Sequence, residues 1–294
     1  MFPSRVSLAS AVEFKLDSIF GQLWSEAMTI DCHAHPLWKD SFVQTLSSEV
    51  SSEDLCFELA SIWAVNMVVG SYCFPRYVAA LASRAEQDAV RHGLIENAWD
   101  ESGAQGHTNR SHFWLAVRLA HLLGLSDSEI ELIRPLPEAQ IYTDEHYQQC
   151  VSGDFGFALG MICLIEEFTT PEFTLIFKSF LKSSKHSLHL DPTDFVLNGG
   201  AEYFTANISD DERHRQEMPS LVATWLCANG IDLNDRNEVS RGLEPIRAGA
   251  KYSADLRQQF FHGIYDFVNH GGKLRDLISP EASLSIEDAV VQHT

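Results

Sequence analysis

Apolar positions recur three and four residues apart along most of the chain, and that period predicts helices. From Ala9 to Leu23, the residues Val12, Phe14, Leu16, Ile19, Phe20 and Leu23 follow it, and Leu37 to Leu46 carries a shorter version. From Glu53 onward Leu55, Leu59, Ile62, Asn66 and Val69 form a stripe, with Ser51 and Ser52 placed to cap its start. Pro75 is expected to end or kink this helix. Tyr77 to Leu94 then starts another, with Val78, Leu81 and Ala82 inward.

Further along, Phe113 to Leu123 is strongly apolar and runs into Gly124, a natural helix stop. Ser126 to Ile133 and Pro137 to Val151 read as shorter helices. Gly153 to Phe168 is apolar nearly all round, which predicts a central buried helix. Thr170-Pro171 is a start signal for Glu172 to Leu181, and Ser183 to Pro192 reads as a polar connection. Phe195 to Thr205, Ser209 to Ala228 and Asn237 to Asn269 complete the set. No succession of alternating strands, repeat or low-complexity tract interrupts it, so the expected fold is all-α, about eight to ten helices in one bundle-like domain.

Composition narrows the function. Hydrophobic residues make up 45% of the 294-residue chain, a globular proportion, and the net charge of −20 excludes a phosphate-tracking surface, so no nucleic-acid partner is expected. The cysteines Cys32, Cys56, Cys73, Cys150, Cys163 and Cys227 form no C-x-x-C pair, which suits reduced thiols in a cytoplasmic protein and disfavours a cysteine zinc site. Met1 to Ser10 makes a poor signal peptide. The longest apolar candidate, Leu55 to Val69, is broken by Glu58 and Asn66, so no membrane partner is expected either.

Candidate chemistry concentrates in three places. Asn97 to Phe113 holds acids, glycines and histidines between helical segments. Glu101 and His112 are eleven residues apart, about 16 Å along a continuous helix, and converge only if the chain breaks, as Gly103 and Gly106 would allow. His107 competes with His112 as a ligand, and Asp100 with Glu101 as the acid. Glu166 and Glu167 end the apolar run; Glu166 lies on the side of Ile162 and Cys163, and the alternative is a solvated helix end for both. Asn207, Asp211 and His214 share a face at offsets of four and three. Against that, Ser209-x-x-Glu212 reads as a capping box, which would put Asn207 outside the helix. A fourth pattern, Asp31-Cys-His33-Ala-His35, resembles the D-x-H-x-H motif of metal-dependent amidohydrolases, but it lacks a βα context and reads as a chance match, with His186 and His189 as the later histidines available to it.

Trp63-Ala-Val-Asn-Met, Phe74-Pro-Arg-Tyr, Asn97-x-x-Asp-Glu101-x-Gly103, His112, Gly160 to Glu166, and Glu202-Tyr-Phe204 followed by Asn207, Asp211 and His214 resemble the haem-oxygenase-like di-iron oxidase/oxygenase family, fold relatives of thiaminase II and pyrroloquinoline-quinone synthase. The resemblance implies a single haem-oxygenase-like helical domain over residues 1–294. It further implies Glu101, His112, Glu166, Asp211 and His214 as iron ligands, with Glu101, Glu166 and Asp211 as the catalytic carboxylates. Asn207 stands where the family has a histidine and supplies only a neutral carbonyl oxygen, so one iron site is expected to be weak, transiently filled or absent, with a mononuclear centre or a member without metal chemistry as the alternatives. The spacing before His112 is one residue longer than the pattern. Implied with the fold are Fe(II), two ions, and dioxygen as co-substrate. The implied function is an oxidase or oxygenase acting on a small amine or amino-acid-derived substrate in specialised-metabolite biosynthesis. An external electron donor and a homodimer are compatible with it. A metal-free enzyme like thiaminase II and a non-catalytic binding protein on the same fold are the alternatives.

Overall fold

The helical period is realised throughout residues 15–103, 110–187 and 192–279, the residues the computed structural model describes. In chain order the helices are α1 (Ile19–Met28), α2 (Ser41–Ser47), α3 (Glu53–Arg84), α4 (Asp88–Glu101), α5 (His112–Leu122), α6 (Asp127–Ile130), α7 (Pro137–Ser152), α8 (Phe155–Ser187), α9 (Pro192–Leu197), α10 (Glu202–Ala228) and α11 (Arg236–Asn269). Short π and 3₁₀ turns occupy Thr29–His33, Pro36–Lys39 and Leu274–Leu277. Among the described residues there is no strand, only one isolated bridge between Ile133 and Ile278.

Several boundaries were readable as local chemistry. Ser52 caps α3 by accepting from the Leu55 amide, and Gly124 follows α5 with a φ of +85°, a backbone state that glycine enters without a Cβ penalty. Others differ from expectation: α3 ends at Arg84 inside the expected helix from Tyr77 to Leu94, α9 ends at Leu197 inside that from Phe195 to Thr205, and two differences share one cause, because prolines lie inside helices. Pro75 sits within the 32-residue α3, and Pro171 within the 33-residue α8, so the expected breaks at both are absent. An interior proline costs about 3 kcal/mol. Phe74, Tyr77 and Val78 are buried around Pro75, and Phe168 and Phe173 around Pro171, so apolar packing on both flanking turns offsets that cost. The early helix begins at Ile19, after a turn, and residues 9–14 lie outside the described set.

The central helix α8 packs against α3, α10 and α11, and its residues from Ala158 to Phe168 are buried. Its approach to α11 is backbone against backbone. A Cβ at Gly160 would collide with the Ile246 carbonyl oxygen, and one at Gly249 with the Phe157 carbonyl oxygen. Among the described residues, α3 is long and apolar enough by composition to cross a membrane, but 61% of its most apolar stretch is buried within the protein.

Candidate metal centre

The site begins where α4 ends. Glu101 is its last residue, Ser102 closes the turn, and Gly103 leaves it at φ +86°. A side chain at Gly103 would strike the backbone of Arg110 and Ser111, so the returning chain crosses directly over it. Ser111 then caps α5 by accepting from the Trp114 amide, which makes His112 the first helical residue. The break therefore folds an eleven-residue separation into a contact of 2.6 Å between His112 Nδ1 and Glu101 Oε2. Gly106 and His107 lie outside the described residues.

Two further helices deliver the rest. On α8, Glu166 points into the bundle at 1% exposure and lies a full five turns before the helix ends, so the frayed-end reading fails. Helix α10 starts at Glu202, not at Ser209, so the capping-box reading fails too, and Asn207, Asp211 and His214 ride one buried face. Ligand atoms of Glu101, Asp211 and His214 all lie within 4.8 Å of one another. His214 Nδ1 is 3.5 Å from Glu166 Oε2 and 3.9 Å from Glu101 Oε1, so Glu101 stands between the two histidines with one oxygen toward each.

Behind each histidine sits another acid. His214 Nε2 faces Asp100 Oδ2 at 3.4 Å, and Arg213 holds the same oxygen at 2.7 Å. His112 Nε2 faces Asp210 Oδ2 at 3.4 Å. Both histidines thus turn Nδ1 inward and Nε2 toward a carboxylate, the arrangement that fixes tautomer and ring angle in a metal-ligating histidine. Asn97 donates to Glu166 Oε1 at 2.7 Å.

The electrostatics of this cluster call for a cation. Five buried carboxylates (Asp100, Glu101, Glu166, Asp210 and Asp211) crowd two histidines. Burial raises Asp211 well above the usual carboxylate range, and the charges of Glu166 and Glu101 push it further. Burial alone would lower His112 and His214. The Glu101 charge instead holds His112 well above its ordinary value, and Glu166 chiefly raises His214 to about 10. Glu101 Oε1, Glu166 Oε2 and His214 Nδ1 are buried with no hydrogen-bond partner, although buried polar atoms are nearly always paired. A mixed carboxylate and imidazole set of this kind fits ferrous iron.

Asn207 occupies the same face one turn before Asp211, and its amide nitrogen donates to the Tyr203 carbonyl at 2.7 Å. One carbonyl oxygen remains as its ligating atom. Glu167 turns away from the cluster to His33 Nε2 at 2.8 Å, and His35 Nε2 faces Asp255 at 3.1 Å. His33 and His35 therefore diverge, and the π turn beneath them is no barrel strand, in keeping with a chance match. His189 and the side chain of His186 lie outside the described set.

Glu101 and Asp211 also line a small cavity of about 50 Å³. Its apolar wall includes Phe74, Ile165, Phe173 and Phe260, and Arg257 lies on it from α11. Sequence reasoning did not find Arg257 or its neighbour Glu172, since neither belongs to a motif. Asp210 also went unnoticed, yet the doublets Asp100-Glu101 and Asp210-Asp211 were a visible signal. In each, one acid faces the cluster and its neighbour supports a histidine from behind.

Comparison with known proteins bears on the family and the fold. Residues 61–243 match the family described as iron-containing redox enzymes. The 4-aminobenzoate synthase of Chlamydia muridarum is 25% identical over 173 residues, covering 58% of this chain and 67% of the relative. That of Chlamydia trachomatis is 24% identical over 193 residues, covering 65% and 75%. Among solved structures, a TenA homolog from Pseudomonas syringae pv. tomato superposes with a TM-score of 0.60 at 14% identity, covering 90% of this chain and 99% of that one. A CADD-like protein of unknown function from Nostoc punctiforme gives 0.58 at 20% identity, covering 84% and 97%. A domain of unknown function with a heme oxygenase-like fold from Shewanella denitrificans gives 0.59 at 13%, covering 86% and 96%. These structural likenesses concern the fold, which is haem-oxygenase-like and all-α.

Proposed function

The chain belongs to the iron-containing redox enzyme family, and from that premise we propose that it is an oxygen-activating non-haem iron oxidase or oxygenase for a small amine or amino-acid-derived substrate. The observation that carries the reading is the buried convergence of Glu101, Asp211 and His214 with their orphaned ligand atoms. In this reading those three residues would hold Fe(II), and His112, Glu166 and the Asn207 carbonyl would be the further ligands if a second, weaker ion is bound. Bound ferrous iron supplies electrons to dioxygen and, through it, oxidising power toward a substrate bond.

The chain's own residues do the rest. Asp100 and Asp210 fix the ring angles of His214 and His112. Phe74, Ile165 and Phe173 keep the adjoining cavity poor in water, so a substrate bound there is oxidised in a setting of low dielectric. The chlamydial relatives, named for making an aromatic amine, support a nitrogen-bearing substrate or product.

Anaerobic Fe(II) titration with a count of ions per chain, followed by oxygen-uptake measurement, tests the proposal. The expected result is at least one tightly held iron, lost in Asp211→Asn, and oxygen consumption that requires it. Negligible iron binding by the intact chain would sink the oxidase reading and favour a metal-free enzyme on the same fold.

A further inference from the structure

The candidate iron ligands leave unexplained the one positively charged side chain that the described residues place on the cavity wall. Arg257 is 3% exposed and its partner Glu172 1%, so both charges have been taken out of water. Such a step is offset only when the pair is well aligned and the remaining donors are satisfied. Neither condition holds. Arg257 Nε lies 3.2 Å from Glu172 Oε2, yet both atoms are without a hydrogen-bond partner, because the approach is poorly aligned. The other Glu172 oxygen accepts from Trp63 Nε1 at 2.6 Å. Arg257 Nη1 reaches only the Met67 sulfur at 3.7 Å, a weak acceptor, and Nη2 has no acceptor among the described residues.

The guanidinium is nonetheless held in place. Its carbon lies 4.6 Å from the Tyr142 ring centre and 5.7 Å from that of Phe260. Stacking on aromatic faces fixes the plane of an arginine while leaving its edge free to donate. Three other polar groups on the cavity wall are already engaged. Asn66 donates to the Ile62 carbonyl and accepts from the Leu136 amide, Thr143 donates within its own helix, and Ser71 pairs with Tyr203. Arg257 is thus a positioned donor fork without a matching acceptor, on the same small cavity as Glu101 and Asp211.

We propose that Arg257 binds the carboxylate of the substrate, so that the class is a small carboxylic acid whose oxidisable part is turned toward Glu101 and Asp211. Two parallel N–H bonds from a guanidinium match a carboxylate in geometry and charge. Glu172 is the stand-in acceptor that keeps the guanidinium charge balanced until the substrate arrives. The inference rests on the oxidase reading for its chemistry, but the anion site can be tested apart from it.

Isothermal titration of the full-length protein, with and without Fe(II), compares two matched probe pairs, benzoate with benzamide and hexanoate with hexanamide. Arg257→Met alone would leave Glu172 as an uncompensated buried charge, and Glu172→Gln alone leaves the guanidinium uncompensated until an anion neutralises it, so the deciding variant is the neutral double variant Arg257→Met/Glu172→Gln, with Glu172→Gln beside it as a comparison. A carboxylate should bind at least about tenfold more tightly than its amide in the natural protein. That preference should disappear in the double variant and grow in Glu172→Gln, where the internal competitor is gone. Equal binding of carboxylate and amide in both pairs, or a preference that survives in the double variant, overturns the proposal. Iron counted on the same samples separates the two readings. Iron without a carboxylate preference removes the anion site and leaves the oxidase, whereas the preference without iron removes the oxidase and leaves the anion site.

Discussion

His146 and the pair His112 and His214 are equally withdrawn from water, at 0%, 2% and 1% exposure, yet the protein treats them in opposite ways. His146 has neutral partners: the Tyr142 carbonyl at 2.6 Å, the Ser253 hydroxyl at 2.8 Å and the Tyr142 ring against its face. Burial, helped by the nearby Arg257 charge, lowers it to about 3. His112 and His214 are just as dry but are ringed by carboxylates, which overcome burial and raise both. Burial sets the cost of a charge; the neighbours decide whether the charge stays. A histidine that is buried, satisfied and neutral is a core residue. One that is buried among acids occupies a place where a cation belongs.

The strongest way to break this comparison is to exchange the expected losses. Asp211→Asn should abolish tight iron binding, read as iron retained per chain after desalting, whereas His146→Gln should keep its iron and lose thermal stability instead. If His146→Gln loses iron to the same extent, the distinction between the two regions is wrong.

Acid unfolding sharpens it next. Because His146 titrates near 3 when folded and near its ordinary 6.5 when unfolded, the unfolded chain takes up a proton first as pH falls. Stability therefore drops between those values, by up to roughly 4 kcal/mol from this one group. For His214 the sign is reversed. Its folded value of about 10 lies above the unfolded one, so in the metal-free protein its contribution is complete below about 6.5 and is lost as pH rises through 10. Chemical denaturation across pH should show a shallower acid limb in His146→Gln with an unaltered alkaline limb.

Smaller effects probe the supporting acids. Asp100→Asn and Asp210→Asn should each weaken iron affinity about 10- to 100-fold, without removing a ligand. An unchanged affinity in both would leave the two inward-turned Nδ1 atoms without that support. Smallest of all is Asn207→Ala, which should cost about 1 kcal/mol of stability for a lost buried hydrogen bond and leave the tighter iron in place. Asn207→His should instead raise the count of irons per chain.

The divide between neutral and acidic surroundings also explains what the sequence disclosed. Asp211 and His214 were recognisable because both lie on one helix, where an offset of three fixes their relation whatever surrounds them. Glu101 and His112 were recognisable because Gly103 marked the break that joins them. The helices were legible from apolar period, but not all their ends: Pro75 and Pro171 announced ends that tertiary packing overrode, the expected helix from Tyr77 to Leu94 is divided after Arg84, and α10 starts at Glu202 inside the expected helix from Phe195 to Thr205. Arg257 and Glu172 had no such signature. They are separated by 85 positions, on α11 and α8, and an isolated arginine in an amphipathic helix looks like surface until the helix is seen from its neighbours. Asp100 was visible only as a rival to Glu101, because a residue that acts from behind a histidine differs from a ligand in direction alone.

Gly160 and Gly249 carry one more consequence. With their helices in backbone contact, the helix bearing Glu166 and the helix bearing Arg257 cannot slide or separate without opening a gap at the seam. The span between Glu166 and the guanidinium is therefore a fixed gauge. A relative of this protein that handles a longer or shorter molecule would have to change the side chains between the two ends, at positions such as Ile165, Thr169 and Phe173, because the frame itself offers no adjustment.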